Sequence, residues 1–446
     1  MFKRTILYIT ILLLSFQQAT SQDSSIIAIE NINVIPMTEE IVLPKQRVII
    51  ANGKILRIES SALPLHDSVT FRIDGTDKYL IPSLSEMHYH FRSKDIESDF
   101  KLLIVNGITT VRNMAETEEQ DQIEIKKKTL SGALWPFNYF TAGPYLQAKD
   151  LQSPRDISEV VKRHKERGYD FLKIADNLPK SIYLKLLEEC HKNNIPVVGH
   201  AQRALPLEYS LRMKSIEHIE EFVYLSKEGK GTAYSKQDAT RLKELALQVK
   251  QSGVYIGTTL AVFDFITNCL DDKKFALLQK HGLTKYLAKD QRDGFLTEKN
   301  DYRKLRHREF DGVKAVTFFN NYFLWMKRFA RILSDNNVPL LTGSDTYGMV
   351  IVGFSLHWEF ELLQKAGLKP FDILLASTVN PARYLHTYSM NGTISEGKYA
   401  DLVLLNKNPL VDINNTKAIE GVFLKGKWFD RGMLDIILKE VEAAYK

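Results

Sequence analysis

Between about Pro82 and Pro381, short apolar runs alternate with amphipathic helical stretches, and this alternation constrains the fold more than any other feature of the chain. Side chains repeat with a period of two on a strand and near 3.6 on a helix. A chain that switches regularly between these periods builds βα units, which assemble as a parallel sheet with helices outside it. Eight runs read as strands: SEMHYH, GITTVR, NYFTAG, DFLKIA, IPVVGHA, SIEHI, VYIGTTL and VPLLTGSD. Eight parallel strands are what a (β/α)8 TIM barrel requires. A chain of 446 residues with 44% hydrophobic content can fill such a barrel and an appendage besides.

The appendage comes from both ends. Residues 26–81 hold strand-like runs, with Asn52-Gly53 as a hairpin signal between two of them, and residues 382–446 return to strands in ADLVLLN and GVFLKGKWF before a terminal helix. The expected architecture is therefore α/β: a barrel over 82–381 with a small composite β-sandwich built from both termini. Residues 1–21 have a basic start at Lys3 and Arg4, an apolar run from Ile6 to Phe16, and small residues Ala19 and Ser21. This pattern reads as a signal peptide cleaved before Gln22, with export to the periplasm or beyond and no stable membrane insertion afterwards.

Loss of that segment removes two basic residues and no acid, so the formal charge of +6 falls by two. So mild a balance, with no basic block interleaved with aromatics, excludes nucleic acid as a partner and leaves a small molecule. Association with further copies of the chain stays open. Two cysteines, Cys190 and Cys269, are too few for a thiolate metal site, and whether they pair is not legible in the sequence.

In a barrel the chemistry lies where strands end, so polar residues there carry the functional reading. His88 and His90 are two apart on one strand and share a face. Lys173 sits in the fourth run, His200 ends the fifth, His218 the sixth, and Asp345 the eighth. A lone histidine at a strand end is most often structural, and a buried lysine is unfavourable without a partner. Six such residues on five strands point instead to a shared metal site.

The chain resembles the amidohydrolase superfamily, in the branch of imidazolonepropionase and the prolidase-like metal-dependent hydrolases. YLIPSLSEMHYH, NGITTVRNM, FLKI, VVGHA, SIEHI, TGSD, STVNPARYL and GTISEGKYADLVLLNKNPL carry the resemblance. It implies two divalent metal ions. His88, His90 and Asp345 would bind one, His200 and His218 the other, and Lys173, as a carbamate, would bridge them. Imidazole and oxygen donors without thiolate suit zinc first. Asp345 would also be catalytic, taking a proton from the attacking water and passing it to the leaving group. The family's usual pattern has Asp, Gly and Asp where this chain has Glu86, Ser83 and Asn113; none is an expected ligand.

Three further residues are candidates for substrate contact: Arg112 after GITTV, Tyr139 in NYFTAG, and Arg203, whose guanidinium could grip a carboxylate. The stretch 261–337 is too long for an ordinary connection and is expected to be a largely helical insertion, with a lid over the barrel mouth or extra packing on its flank as the alternatives. The expected activity is hydrolysis of an amide or peptide-like C–N bond, as in a prolidase-like dipeptidase. The alternatives are a cyclic amide hydrolase, a lactone or ester hydrolase, and a noncatalytic ligand-binding relative.

Overall fold

Parallel strands occupy all eight of the expected runs in the computed structural model, which describes residues 26–65, 67–93, 95–226, 238–347 and 349–446. The expected signal peptide lies outside the described residues. In chain order the first strands are β1 (Ile27–Val34), β2 (Leu43–Ala51), β3 (Lys54–Ser60), β4 (Phe71–Asp74) and β5 (Tyr79–Pro82). The central strands are β6 (Leu84–Tyr89), β7 (Ile108–Asn113), β8 (Asn138–Thr141), β9 (Leu172–Ile174), β10 (Val197–Gly199), β11 (Ser215–Ile216) and β12 (Tyr255–Gly257). A short hairpin, β13 (Glu309–Phe310) and β14 (Val313–Lys314), precedes β15 (Leu340–Leu341), and β16 (Leu402–Leu405), β17 (Ile419–Leu424) and β18 (Lys427–Asp430) close the series.

The central strands form two parallel sheets, β6-β7-β8 and β9-β10-β11-β12-β15. Scattered hydrogen bonds, short of a ladder, cross both gaps. The Leu146 amide donates to the Lys173 carbonyl at 2.7 Å after β8, and the Met87 amide donates to the Thr342 carbonyl at 3.0 Å between β6 and the end of β15. The arrangement is TIM-barrel-like, with two seams where the expectation was one continuous ladder. At the second seam a reason is visible: β15 is two residues long, and the chain beyond it turns inward toward His88. Strands β6, β7, β9, β10, β11 and β15 are buried at every position, as parallel strands covered on both faces should be.

The chain ends meet in a separate eight-stranded sheet of order β18-β17-β16-β5-β1-β2-β3, with β4 beside β1. The joint is the antiparallel pair β5–β16, in register from Tyr79↔Leu405 to Pro82↔Leu402. Alternation sorts its side chains: Leu402, Leu404 and Phe423 join a cluster with Ile29, Val34 and Leu80, while Val403, Leu405 and Val422 belong to the main core. Asn52 and Gly53 take φ of 50° and 74°, the doubly left-handed turn expected of Asn-Gly.

The insertion is largely helical, with segments Leu260–Leu270, Asp272–Gln279, Lys289–Phe295 and Ala315–Asp335. The last buries Trp325, Met326, Phe329 and Leu333 along one stripe. Among the described residues no helix is long and apolar enough to cross a membrane. Cys190 and Cys269 are both buried and free.

Candidate metal centre and active site

The six expected ligands line one cavity of about 380 Å³ at the end of the parallel strands. His88 projects from β6 and His90 follows it, their ring centres 5.2 Å apart. The His218 ring lies 4.6 Å from His88 and 4.9 Å from His200. Asp345 Oδ1 is 3.1 Å from His90 Nε2 and 3.8 Å from His88 Nε2, and Lys173 Nζ is 3.3 Å from that same His88 nitrogen. Donor atoms of His88, His218 and Asp345 all lie within 4.8 Å of one another, close enough to share an ion.

Two of these residues sit in strained backbone. His218 and Asp345 have φ of 73° and 53°, and Thr259, after β12, has 48°. Each costs a residue with a Cβ about 1–3 kcal/mol and persists only where surrounding structure enforces it. Here the strain aims three consecutive strand ends at one point. Two glycines make the room: a Cβ at Gly343 would fall 2.5 Å from the His88 Cβ, and one at Gly257 would fall 2.6 Å from Glu217 Oε2.

Outer partners set the histidines. His88 Nδ1 lies 3.1 Å from Glu217 Oε2, His200 Nδ1 2.7 Å from Glu221 Oε1, and His218 Nδ1 2.8 Å from Thr259 Oγ1. A carboxylate only accepts, so Nδ1 of His88 and of His200 carries the proton and Nε2 keeps its lone pair for the cavity. Burial drives His88 down to about 3 and His90 to about 4, and holds His218 well below its ordinary value. These imidazoles are neutral at neutral pH. Burial opposes ionisation of Asp345, but His88, His90 and His218 outweigh it and hold the carboxyl well below its usual range. Burial lowers Lys173 to about 8, which enlarges the neutral fraction of its amine. Neutral imidazoles, an ionised carboxylate and a readily deprotonated lysine are a donor set that fits divalent metal ions.

Glu217, Glu221 and Thr259 were not singled out from the sequence. Glu217 stands inside the run SIEHI, and an acid in an otherwise buried strand was the available signal. The three residues expected to touch substrate lie elsewhere. Arg112 is fully buried beneath the histidines, donating to Glu217 Oε2 at 2.7 Å, the Met87 carbonyl at 2.7 Å and the Tyr384 hydroxyl at 2.8 Å. Its charge holds Glu217, which holds His88. Tyr139 is buried against Phe100 and donates its hydroxyl proton to Gln122. Arg203 grips Glu221 through Nε at 2.7 Å and Nη2 at 2.6 Å, and so supports His200. None of the three lines the cavity. Instead the insertion supplies Val262, Phe263, Ile266, Tyr302 and Met326 to its wall, and Arg92 and Glu220 contribute charge.

A family model for the amidohydrolase family matches residues 79–429, and the chain belongs to that family. An imidazolonepropionase of Thermoplasma volcanium is 30% identical over 110 residues, which span 23% of this chain and 26% of that relative. Among solved structures, a bottromycin amidohydrolase superposes with a TM-score of 0.72 at 19% identity, covering 94% of this chain and 90% of its own. A putative prolidase from Bifidobacterium longum gives 0.66 at 20% identity, with 94% and 99% covered. At these identities the structural likeness speaks for the fold.

Proposed function

We propose that this member of the amidohydrolase family is a binuclear metal-dependent hydrolase of amide or peptide-like C–N bonds, with a short peptide as the leading substrate class. The observation that carries the reading is the convergence of His88, His90, Lys173, His200, His218 and Asp345 on one cavity. His88, His90 and Asp345 would hold one ion, His200 and His218 the other, and Lys173 would join them as a carbamate. Burial of Lys173 favours the uncharged amine that must attack carbon dioxide to form that carbamate, with loss of one proton. When bound, divalent ions, zinc first among them, supply Lewis acidity to a carbonyl and bring the pKa of water toward neutrality.

The chain's own groups then divide the remaining work. Asp345 is ionised and faces the cavity, placed to accept a proton from the attacking water and return it to the departing nitrogen. Hydrolysis then leaves a carboxylic acid and an amine. Arg112, Glu217, Glu221 and Arg203 keep the imidazoles oriented without meeting substrate. Val262, Phe263, Ile266 and Met326 of the insertion give the cavity an apolar stretch of wall for a substrate side chain.

The test joins elemental analysis of protein prepared with ample metal and bicarbonate to a hydrolase screen over dipeptides, N-acyl amino acids, lactones and aryl esters. Two ions per chain and turnover of an amide are expected. A stoichiometry at or below one, with Lys173 unmodified in an electron-density map, sinks the binuclear site. Turnover of esters and lactones alone sinks the C–N assignment.

A further inference from the structure

The cavity holds one carboxylate that the metal set does not use. Glu220 follows His218 by two residues and lines the same space, while its neighbour Glu221 turns away, fully buried, to hold His200 and Arg203. Adjacent acids thus face opposite ways, one inward to a ligand and one outward to the cavity.

Glu220 is fixed at one oxygen and open at the other. Its Oε1 accepts from the Tyr224 hydroxyl at 2.9 Å, and Tyr224 is itself held by the Arg203 guanidinium stacked 3.8 Å from its ring centre. Arg203 pairs mainly with Glu221: its Nη2 is 2.6 Å from Glu221 Oε1 and 3.9 Å from Glu220 Oε1, so Glu220 shares its charge only at the longer distance. No hydrogen bond reaches Glu220 Oε2 among the described residues, and the side chain keeps 26% of its surface exposed. Aromatic rings of Phe263 and Tyr302 stand in the same wall, and ring faces attract cations. The remaining basic group of the wall, Arg92, is anchored through Nε on the Thr346 carbonyl at 2.6 Å, after β15, whereas Glu220 follows β11. The two charges are therefore anchored at different strand ends.

We propose that Glu220 is a cation-recognising subsite that selects substrates carrying a protonated amine near the bond to be cut. The identity of that bond rests on the hydrolase reading above; the binding preference does not. A carboxylate held rigid at one oxygen and free at the other offers a charge-assisted hydrogen bond to an ammonium group, and discriminates against the same molecule once its amine is acylated.

Calorimetric titration of the metal-replete protein with leucinamide and N-acetyl-leucinamide, at a pH that protonates the amine, tests this. Wild type should bind leucinamide about tenfold tighter, the size expected of one charge-assisted hydrogen bond. Glu220→Gln and Glu220→Ser should each bring the two affinities to within about twofold, as loss of that bond requires, with metal content and N-acetyl-leucinamide binding unchanged. Equal affinities in wild type, no binding of leucinamide, or a preference that survives in both variants overturns the proposal. Turnover in the same samples separates the two readings: hydrolysis without amine preference sinks the subsite alone, and amine preference without hydrolysis of either amide counts against the hydrolase alone.

Discussion

The central parallel strands and the terminal sheet draw on similar aliphatic residues but use backbone strain for different ends. In the terminal sheet, strands run to nine residues, and left-handed backbone at Asn52-Gly53 and Lys425-Gly426 sits between paired antiparallel strands, where it reverses the chain. Among the central strands, β11 and β15 are two residues long, and left-handed backbone at His218, Thr259 and Asp345 follows the strand ends without forming hairpins. There it points side chains into the cavity. Strain that makes a turn is a matter of topology; strain that aims a ligand is a matter of chemistry.

Substitutions can break this contrast. The largest effect belongs to Asp345→Asn, which keeps size and removes the base: kcat should fall about 10²–10⁴-fold while the unfolding midpoint of metal-free protein moves little. Steady-state kinetics beside thermal melts would show it, and wild-type turnover in the variant would overturn the role given to Asp345. Next comes Arg112→Met, which leaves Glu217 as a buried charge without its cation. Breaking such a pair costs about 3–5 kcal/mol by denaturant titration, and His88 should lose its orientation, so metal affinity should drop as well. An unchanged midpoint would mean that Glu217 finds another partner.

His357 sharpens the contrast from outside the cavity. Burial holds this imidazole down to about 4, and it bridges the Asn106 carbonyl and Thr416 Oγ1, so it ties the central helices to the C-terminal segment. In the unfolded chain it titrates near 6.5. The unfolded state therefore takes up a proton that the folded state refuses, and the stability present above about pH 6.5 is lost as pH falls toward 4. His357→Gln should lose less stability than wild type over that window, by at most about 1.4 kcal/mol for each pH unit. Melting curves across the window would detect the difference, and parallel curves for the two proteins would refute it. The smallest effect is expected in the terminal sheet. Gly53→Ala at φ 74° also brings a Cβ within 3.0 Å of the Lys425 carbonyl, so it should cost about 1 kcal/mol and leave kcat/KM unchanged.

Much of this arrangement was legible from residue order. Each of the eight central strands coincides with an apolar run, because a strand buried on both faces must be apolar along its length. The Asn-Gly turn and the helical insertion were legible for similarly local reasons. The residues that brace the site were not: Glu217 meets His88 from 129 positions away, and Thr259 meets His218 from 41. Arg112, Tyr139 and Arg203 looked like substrate contacts because each offers a polar group near a strand end. Their pairing with Glu217, Gln122 and Glu221 depends on packing between distant elements.

Sequence alone therefore determined the eight central strands and the residues that stand at their ends, since periodicity and side-chain alternation are properties of adjacent residues. Only the tertiary structure decided which of those residues face one another, which nitrogen His88 and His200 keep free, and which acid of the pair Glu220-Glu221 braces a ligand and which opens to the cavity. Those outcomes are set by distances between strand ends and by burial, and both exist only once the strands have packed together.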